Sequence, residues 1–187
     1  DCRSNLMDLT VNGTEIGTHD RQIDLAASGT VQVGVTVAAY LAVKPDAAID
    51  ALPYTKPPYW NLERARIGAT RKVPVEIVVN GKPVSRKEIE ADGTVQKLKF
   101  SIPITKSSWI AVRILSSSHT DPIFIIVGGK PIRASLQSAE WCLRSVNQCW
   151  TQKAPLISAR EMPEAVKAYD HARAVYRELI KESIDKE

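Results

Sequence analysis

The stretch SSSHTDP, residues 116–122, sets Ser118, His119 and Asp121 almost side by side. These are the residue types of nucleophilic catalysis, in which a histidine takes the serine proton and a carboxylate orients the histidine. That chemistry needs three groups converging from separated points of the chain, which neighbours in one turn rarely achieve. Asp121 before Pro122 is also a usual way to open a turn. The stretch therefore reads first as a strand-to-strand turn. Ser118, His119 and Asp121 are kept as a candidate ligand or partner surface, and no catalytic residue is assigned.

Metal and nucleotide chemistry find no pattern. His19, His119 and His171 are far apart, with no His-x-His, no H-E-x-x-H and no zinc-spaced cysteines. No metal ligand and no cofactor is expected. A small phrase recurs in VNGTEIG, VVNGKPV and VGGKPI, but the last lacks the spacing and the Ser or Thr of a phosphate-binding loop. Asn12-Gly13 and Asn80-Gly81 read instead as hairpin tips, because both central residues of a type I′ turn need positive φ. Gly128-Gly129 has the same turn chemistry and is expected to end the sheet.

Aromatic residues give a second candidate surface. The stretch VKPDAAIDALPYTKPPYWNLE, which covers most of an excursion at 41–62, holds four prolines among Tyr54, Tyr59 and Trp60. Proline cannot donate to a sheet ladder, so this is a long surface connection. Rings pinning the loop onto the fold are the simpler expectation. The alternative is a groove for carbohydrate or another ligand, with the three rings as stacking faces and Arg64 and Arg66 to fix orientation.

Bulk composition narrows the partners. The net charge is +4, and the basic residues are dispersed among acidic ones, which points away from nucleic acid. No apolar run approaches the ~18 residues of a transmembrane segment, and the opening DCRSNLMDLT does not have the pattern of a signal peptide. The compartment stays open, periplasmic or secreted included. Cys142 and Cys149 lie seven residues apart in a helical pattern, ~10 Å at ~1.5 Å per residue, too far for a disulfide. They read as buried thiols, and Cys2 pairs with one of them only if the N-terminus reaches that helix.

The elements that position these residues follow from two periodicities. Up to residue 132 the pattern is strand and turn. Val31, Val33, Val35 and Val37 share one face, VPVEIVV runs into Asn80-Gly81, and Val95, Leu98, Phe100, Ile102 and Ile104 largely alternate. SWIAVRIL and PIFIIV add further strands, six or seven in all. Beyond it the period is helical: Ala139, Cys142, Leu143, Val146, Cys149 and Trp150 form one stripe, with Ser135 as its N-cap. Ser158 and Glu161, at capping-box spacing, open a second helix with its own stripe through Val166, Tyr169, Ala172, Tyr176, Leu179 and Ile180. Trp141 lies off the first stripe; packing on the sheet is the expectation, and facing a partner the alternative. The fold expected is mostly β with C-terminal α: an antiparallel Ig-like or fibronectin-like β-sandwich over 1–132, and a two-helix hairpin over 133–187 packed on it within the same domain.

Long runs of the chain carry a resemblance. YWNLERARIGATRKVPVEIVVNGKPV and SSWIAVRILSSSHTDPIFIIVGGKPIRASLQSAEWCLRSVNQCW resemble the C-terminal region of CehA/McbA-like metallohydrolases of the PHP superfamily. RSNLMDLTVNGTEIG is similar to the point where those proteins leave their catalytic domain, and EAVKAYDHARAVYREL to their end. The resemblance implies a region that follows a metal-dependent hydrolase domain. The histidines and carboxylates of that domain match nothing here, so no catalytic residue is carried over. The family pattern has Gly where Cys2 stands, His where Asn5 stands and commonly Asn where Asp121 stands. The first two departures weaken any contribution of this end to a neighbouring active site. The function expected is a non-catalytic accessory module, not an enzyme by itself, that packs on or orients an upstream PHP-type hydrolase domain or self-associates. The alternative is a carbohydrate-binding or other ligand-binding β-sandwich module.

Overall fold

Alternation of apolar and polar residues dictates which side of each strand is buried, and the structure, a computed structural model, follows it over most of the β region. It describes residues 5–17, 21–116 and 118–184, so Cys2 and His19 lie outside the described residues. The chain forms two compact units, Asp1–Ile132 and Arg133–Glu187. In chain order the strands are β1 (Leu6–Val11), β2 (Thr14–Glu15), β3 (Gln22–Leu25), β4 (Gly29–Ala38), β5 (Lys72–Val79), β6 (Lys82–Glu90), β7 (Gln96–Ile104), β8 (Ser108–Ile114), β9 (Ser118–His119) and β10 (Ile123–Val127). A short helix α1 (Ala47–Asp50) precedes β5, and α2 (Leu136–Lys153) and α3 (Met162–Ile184) form the second unit.

Two sheets share one core. The smaller runs β2-β1-β4-β7, and the larger β3-β10-β8-β5-β6, with β9 paired to β8. Val31, Val33, Val35 and Val37 of β4 are all buried, opposite Leu9 and Val11 on one side and Phe100 and Ile102 on the other. The larger sheet contributes Val73, Val75 and Ile77, Ile110, Val112 and Ile114, and Ile123 and Ile125 to the same core. Burying one such side chain stabilises by about 1.5–3 kcal/mol.

The turns behave as their residues require. Asn12-Gly13 and Asn80-Gly81 take positive φ at both positions, joining β1 to β2 and β5 to β6. Gly128 and Gly129 are also left-handed, and the Lys130 amide donates to Val127 O at 3.2 Å, closing the chain after β10.

Three expectations are corrected. The sheets are not purely antiparallel, because β3 pairs with β10 in parallel, Ile125 opposite Ile23 and Val127 opposite Leu25. The residues between β3 and β10 include all of the other strands from β4 to β9, so a parallel return is sterically open. Val95 lies ahead of β7 and is exposed, because the chain is still in the turn that Thr94 and Asp92 close through a 2.9 Å amide bond. Helix α3 opens at Met162 rather than right after Ser158, whose hydroxyl donates to the Glu161 carboxylate at 2.7 Å instead of capping an amide.

The second unit is an antiparallel helical hairpin. Cys149 meets Tyr169, Asn147 meets Arg173 and Arg133 meets Glu182, so positions rise on one helix as they fall on the other. Ser135 caps α2 by accepting from the Ser138 amide at 3.2 Å. Among the described residues, no helix is long and apolar enough to cross a membrane.

The core assignment has a direct test. Ile77→Ala, at a fully buried position, is expected to lower the unfolding free energy by about 3 kcal/mol. Lys97→Ala, on the outer face of β7, should stay within about 0.5 kcal/mol. Urea denaturation of the chain measures both, and equal midpoints would contradict the placement.

Candidate functional site

Strand alternation separates the three residues of SSSHTDP. β9 is the first part of the return strand of β8, with His119 opposite Arg113 and Ser118 opposite Ile114. Neighbouring strand residues point to opposite faces. Ser118 accepts from the side-chain amide of the buried Asn5 at 3.1 Å, just ahead of β1. His119 turns outward, its Nδ1 3.3 Å from Thr120 O. Asp121 pairs with Arg21 at 3.0 Å. The serine, the histidine and the carboxylate therefore serve three separate contacts, and no triad forms.

Between β9 and β10 the ladder is carried by a side chain. The Thr120 hydroxyl accepts from the Val112 amide at 3.1 Å, while the Thr120 amide donates to Val112 O at 2.9 Å. Pro122, which has no amide hydrogen, follows at the break. The break opens a cleft of about 440 Å³ on the outer face of the larger sheet, with Trp109, Ala111, Arg113, His119, Asp121 and Phe124 in its lining. Trp109 stands opposite Phe124 in the register. Arg113 is held by Glu76 at 2.7 Å, so its charge is compensated. The outer face of the smaller sheet differs: Thr30, Gln32, Lys97, Lys99 and Ser101 are exposed there. This apolar face gave a weak sequence signal, since Trp109 and Phe124 sit at the polar-phase positions of their strands.

The aromatic excursion is built by its arginines. Arg66 donates to the Glu63 carboxylate through Nε and Nη2, and also to Ala42 O at 2.7 Å and Thr70 O at 2.6 Å. Glu63 in turn accepts from the Asp46 amide at 3.0 Å. This buried pair closes the loop from 42 to 70 on itself, with side-chain exposures of 1% for Arg66 and 7% for Glu63. Arg64 donates to Pro58 O at 3.0 Å and Lys56 O at 2.8 Å, and its guanidinium lies 5.5 Å from the Tyr54 ring centre. Both arginines are thus committed to the loop and do not face a ligand.

The rings they hold are exposed, which corrects the expectation that they pin the loop down. Tyr54 is 80% exposed, Tyr59 52% and Trp60 48%. Backbone carbonyls and the Glu63–Arg66 pair fix much of the loop, while the Tyr59 hydroxyl donates to Thr55 O at 3.3 Å from an exposed ring. Tyr59 and Trp60 meet edge to face at 6.4 Å. Ser116 donates to Asn61 O at 3.2 Å, so the excursion touches the turn between β8 and β9. The two candidate surfaces are therefore neighbours.

The thiols and Trp141 also differ from expectation. Cys142 is half-buried, Cys149 is exposed, and both are free. Trp141 is exposed because it projects from the rim of the hairpin rather than from its inner stripe. Among the described residues, no three of His, Cys, Asp and Glu come together in a way that could hold a metal ion. Every buried side-chain nitrogen or oxygen among them has a partner.

No family model and no curated protein matches the chain. Among solved structures, the chain is similar to a β-glucosidase from Listeria innocua in complex with isofagomine, at a TM-score of 0.29 and 11% identity. The match covers 68% of this chain, which spans 17% of the length of that enzyme. At that TM-score the likeness carries no argument.

The Glu63–Arg66 pair is the testable hinge of this site. Glu63→Gln leaves a buried guanidinium without its counter-charge, a loss of about 3 kcal/mol in comparable pairs. Limited proteolysis is expected to cut the excursion at least about tenfold faster, whereas Glu88→Gln, in an exposed pair with Arg86, leaves the rate unchanged. Equal cutting of both variants would contradict the latch.

Proposed function

We propose that this chain is a non-catalytic accessory module that packs on, or orients, a PHP-type metal-dependent hydrolase domain. Its sheets are taken as an Ig-like or fibronectin-like sandwich in this reading. The partner comes from the resemblance of its long residue runs to the C-terminal region of CehA/McbA-like metallohydrolases. One observation carries the proposal: the start of β1 lies against the candidate surface. Asn5 donates to Ser118, Ser116 donates to Asn61 next to Trp60, and His119 opens onto the cleft of Trp109 and Phe124. A domain joined ahead of Asn5 therefore emerges beside the exposed rings and the apolar cleft. Desolvating such aromatic surface is a common source of interface affinity.

A second reading has its own support. Tyr54, Tyr59 and Trp60 are exposed on a loop whose backbone Arg64 fixes, with Arg64 also over the Tyr54 ring and Tyr59 bonded to Thr55 O, and preorganised aromatic faces suit the apolar faces of sugars. In this reading the module binds carbohydrate.

One titration separates the two, with tryptophan emission as the readout. The PHP-type hydrolase domain added in trans is expected to give a saturable change, weakened at least about tenfold by Trp109→Glu. Glucan and cell-wall oligosaccharides are expected to give none. A saturable glycan response lost in Trp60→Ala, with no response to the domain up to about 100 μM, would replace the first reading by the second.

A further inference from the structure

The helical hairpin lacks a centre of its own. No residue of α2 is fully buried, although α2 and α3 carry matching apolar stripes. Two helices can bury only the seam between them, and stable helical units are commonly completed by a further layer. On one face of the hairpin the seam widens into a groove of about 470 Å³. Ser145, Ala168 and Ala172 are too small to fill it, and Trp141, Tyr169 and Tyr176 rise around it.

The groove and its projecting ring have a particular relation. Trp141, 63% exposed, stands one helical turn before Ser145 on the rim. Cys149 stands one turn after it, alongside Ala168 and Tyr169 in the same groove. We infer that a second copy of this chain occupies the groove, related by a two-fold axis that crosses α2 near Ser145. That axis carries Trp141 of each copy onto the Cys149–Ala168 end of the other. The same face is then both ridge and socket, as an isologous contact requires.

The chemistry of the groove suits an uncharged partner surface. Cys149 Sγ lies 3.1 Å from Tyr169 Oη, and this hydrogen bond raises Tyr169 above the ordinary phenol value. Tyr176 is raised in the same direction by the neighbouring Cys142. Cys142 and Cys149, like Tyr169 and Tyr176, are one heptad apart, so the two thiol–phenol pairs repeat along the seam. Each bond uses one of the two polar hydrogens of its pair, so a facing helix has to meet only one remaining weak donor per pair.

The available area is sufficient. Eighteen residues of α2 make a face ~27 Å long and two helices ~20 Å wide. Two such ridged faces bury on the order of 1,200 Å² in total, the lower end for a stable specific interface. The contact uses other residues than the surface around Trp109 and Trp60, so either proposal can fail alone.

Sedimentation equilibrium of the whole chain across a concentration series tests it. The expected result is a reversible dimer, twice the 20.6 kDa of one chain, with dissociation at least about tenfold easier in Trp141→Glu. Trp109→Glu should dimerise as the unaltered chain does. Circular dichroism verifies the helices of each variant. In addition, Ser145→Cys is expected to form a chain-to-chain disulfide under mild oxidation, because the axis brings this position near its own copy. A monomer at about 100 μM, a Trp141→Glu variant as dimeric as the unaltered chain, or a Ser145→Cys chain that stays uncrosslinked would overturn the inference.

Discussion

The dry interface between the two sheets is the constraint on which the rest of the first unit depends. Leu9, Val33 and Phe100 on one side and Ile77, Ile110 and Ile123 on the other exclude water from one continuous core. Because side chains alternate along a strand, committing one phase to this core sends the other phase outward. On the smaller sheet that phase carries Thr30, Gln32, Lys97 and Lys99, which water satisfies. On the larger sheet it carries Trp109, Ala111 and Phe124, which water does not. The two outer faces are thus chemically unequal, and the proposed contact uses the larger sheet.

Residue types associated with chemistry are here used largely to build. Arg66 and Glu63 close the loop around them, Arg64 gathers three backbone carbonyls, and Thr120 replaces a backbone acceptor at the break between β9 and β10. Ser118 ties down the start of β1 through Asn5. A buried ion pair such as Glu63–Arg66 adds little net stability against an apolar replacement. Its value is geometric, since a planar guanidinium reaches a carboxylate and two carbonyls at once. Tyr54, Tyr59 and Trp60 stay exposed on the loop that these bonds fix.

What was legible in the sequence follows the range of the interaction. The valine phase of β4, the Asn-Gly turns and the Ser135 cap are local patterns, fixed by alternation, by positive φ and by one side chain reaching the next turn. The parallel pairing of β3 with β10 joins segments about a hundred residues apart, and QIDL is too short to show a period. The separation of Ser118 from His119 was implicit in their adjacency on a strand. The Asn5 and Asn61 contacts that place this turn were not, because each spans more than fifty residues. Exposure of Trp141 and of the loop rings was also hidden. Sequence shows that a ring is apolar but not whether other bonds have already done its work.

The end of the β unit bearing Asn5, Ser118 and Trp60, with the adjoining Trp109 cleft, is the surface proposed to be covered by a hydrolase domain. Amide hydrogen exchange of the chain, alone and joined to a PHP-type domain ahead of Asn5, tests it most directly. The account predicts slowed exchange in residues 58–62, at the turn around Ser116, and along β8 to β10, with β4 and β7 unchanged. Protection confined to the smaller sheet, or none in either sheet, would contradict it.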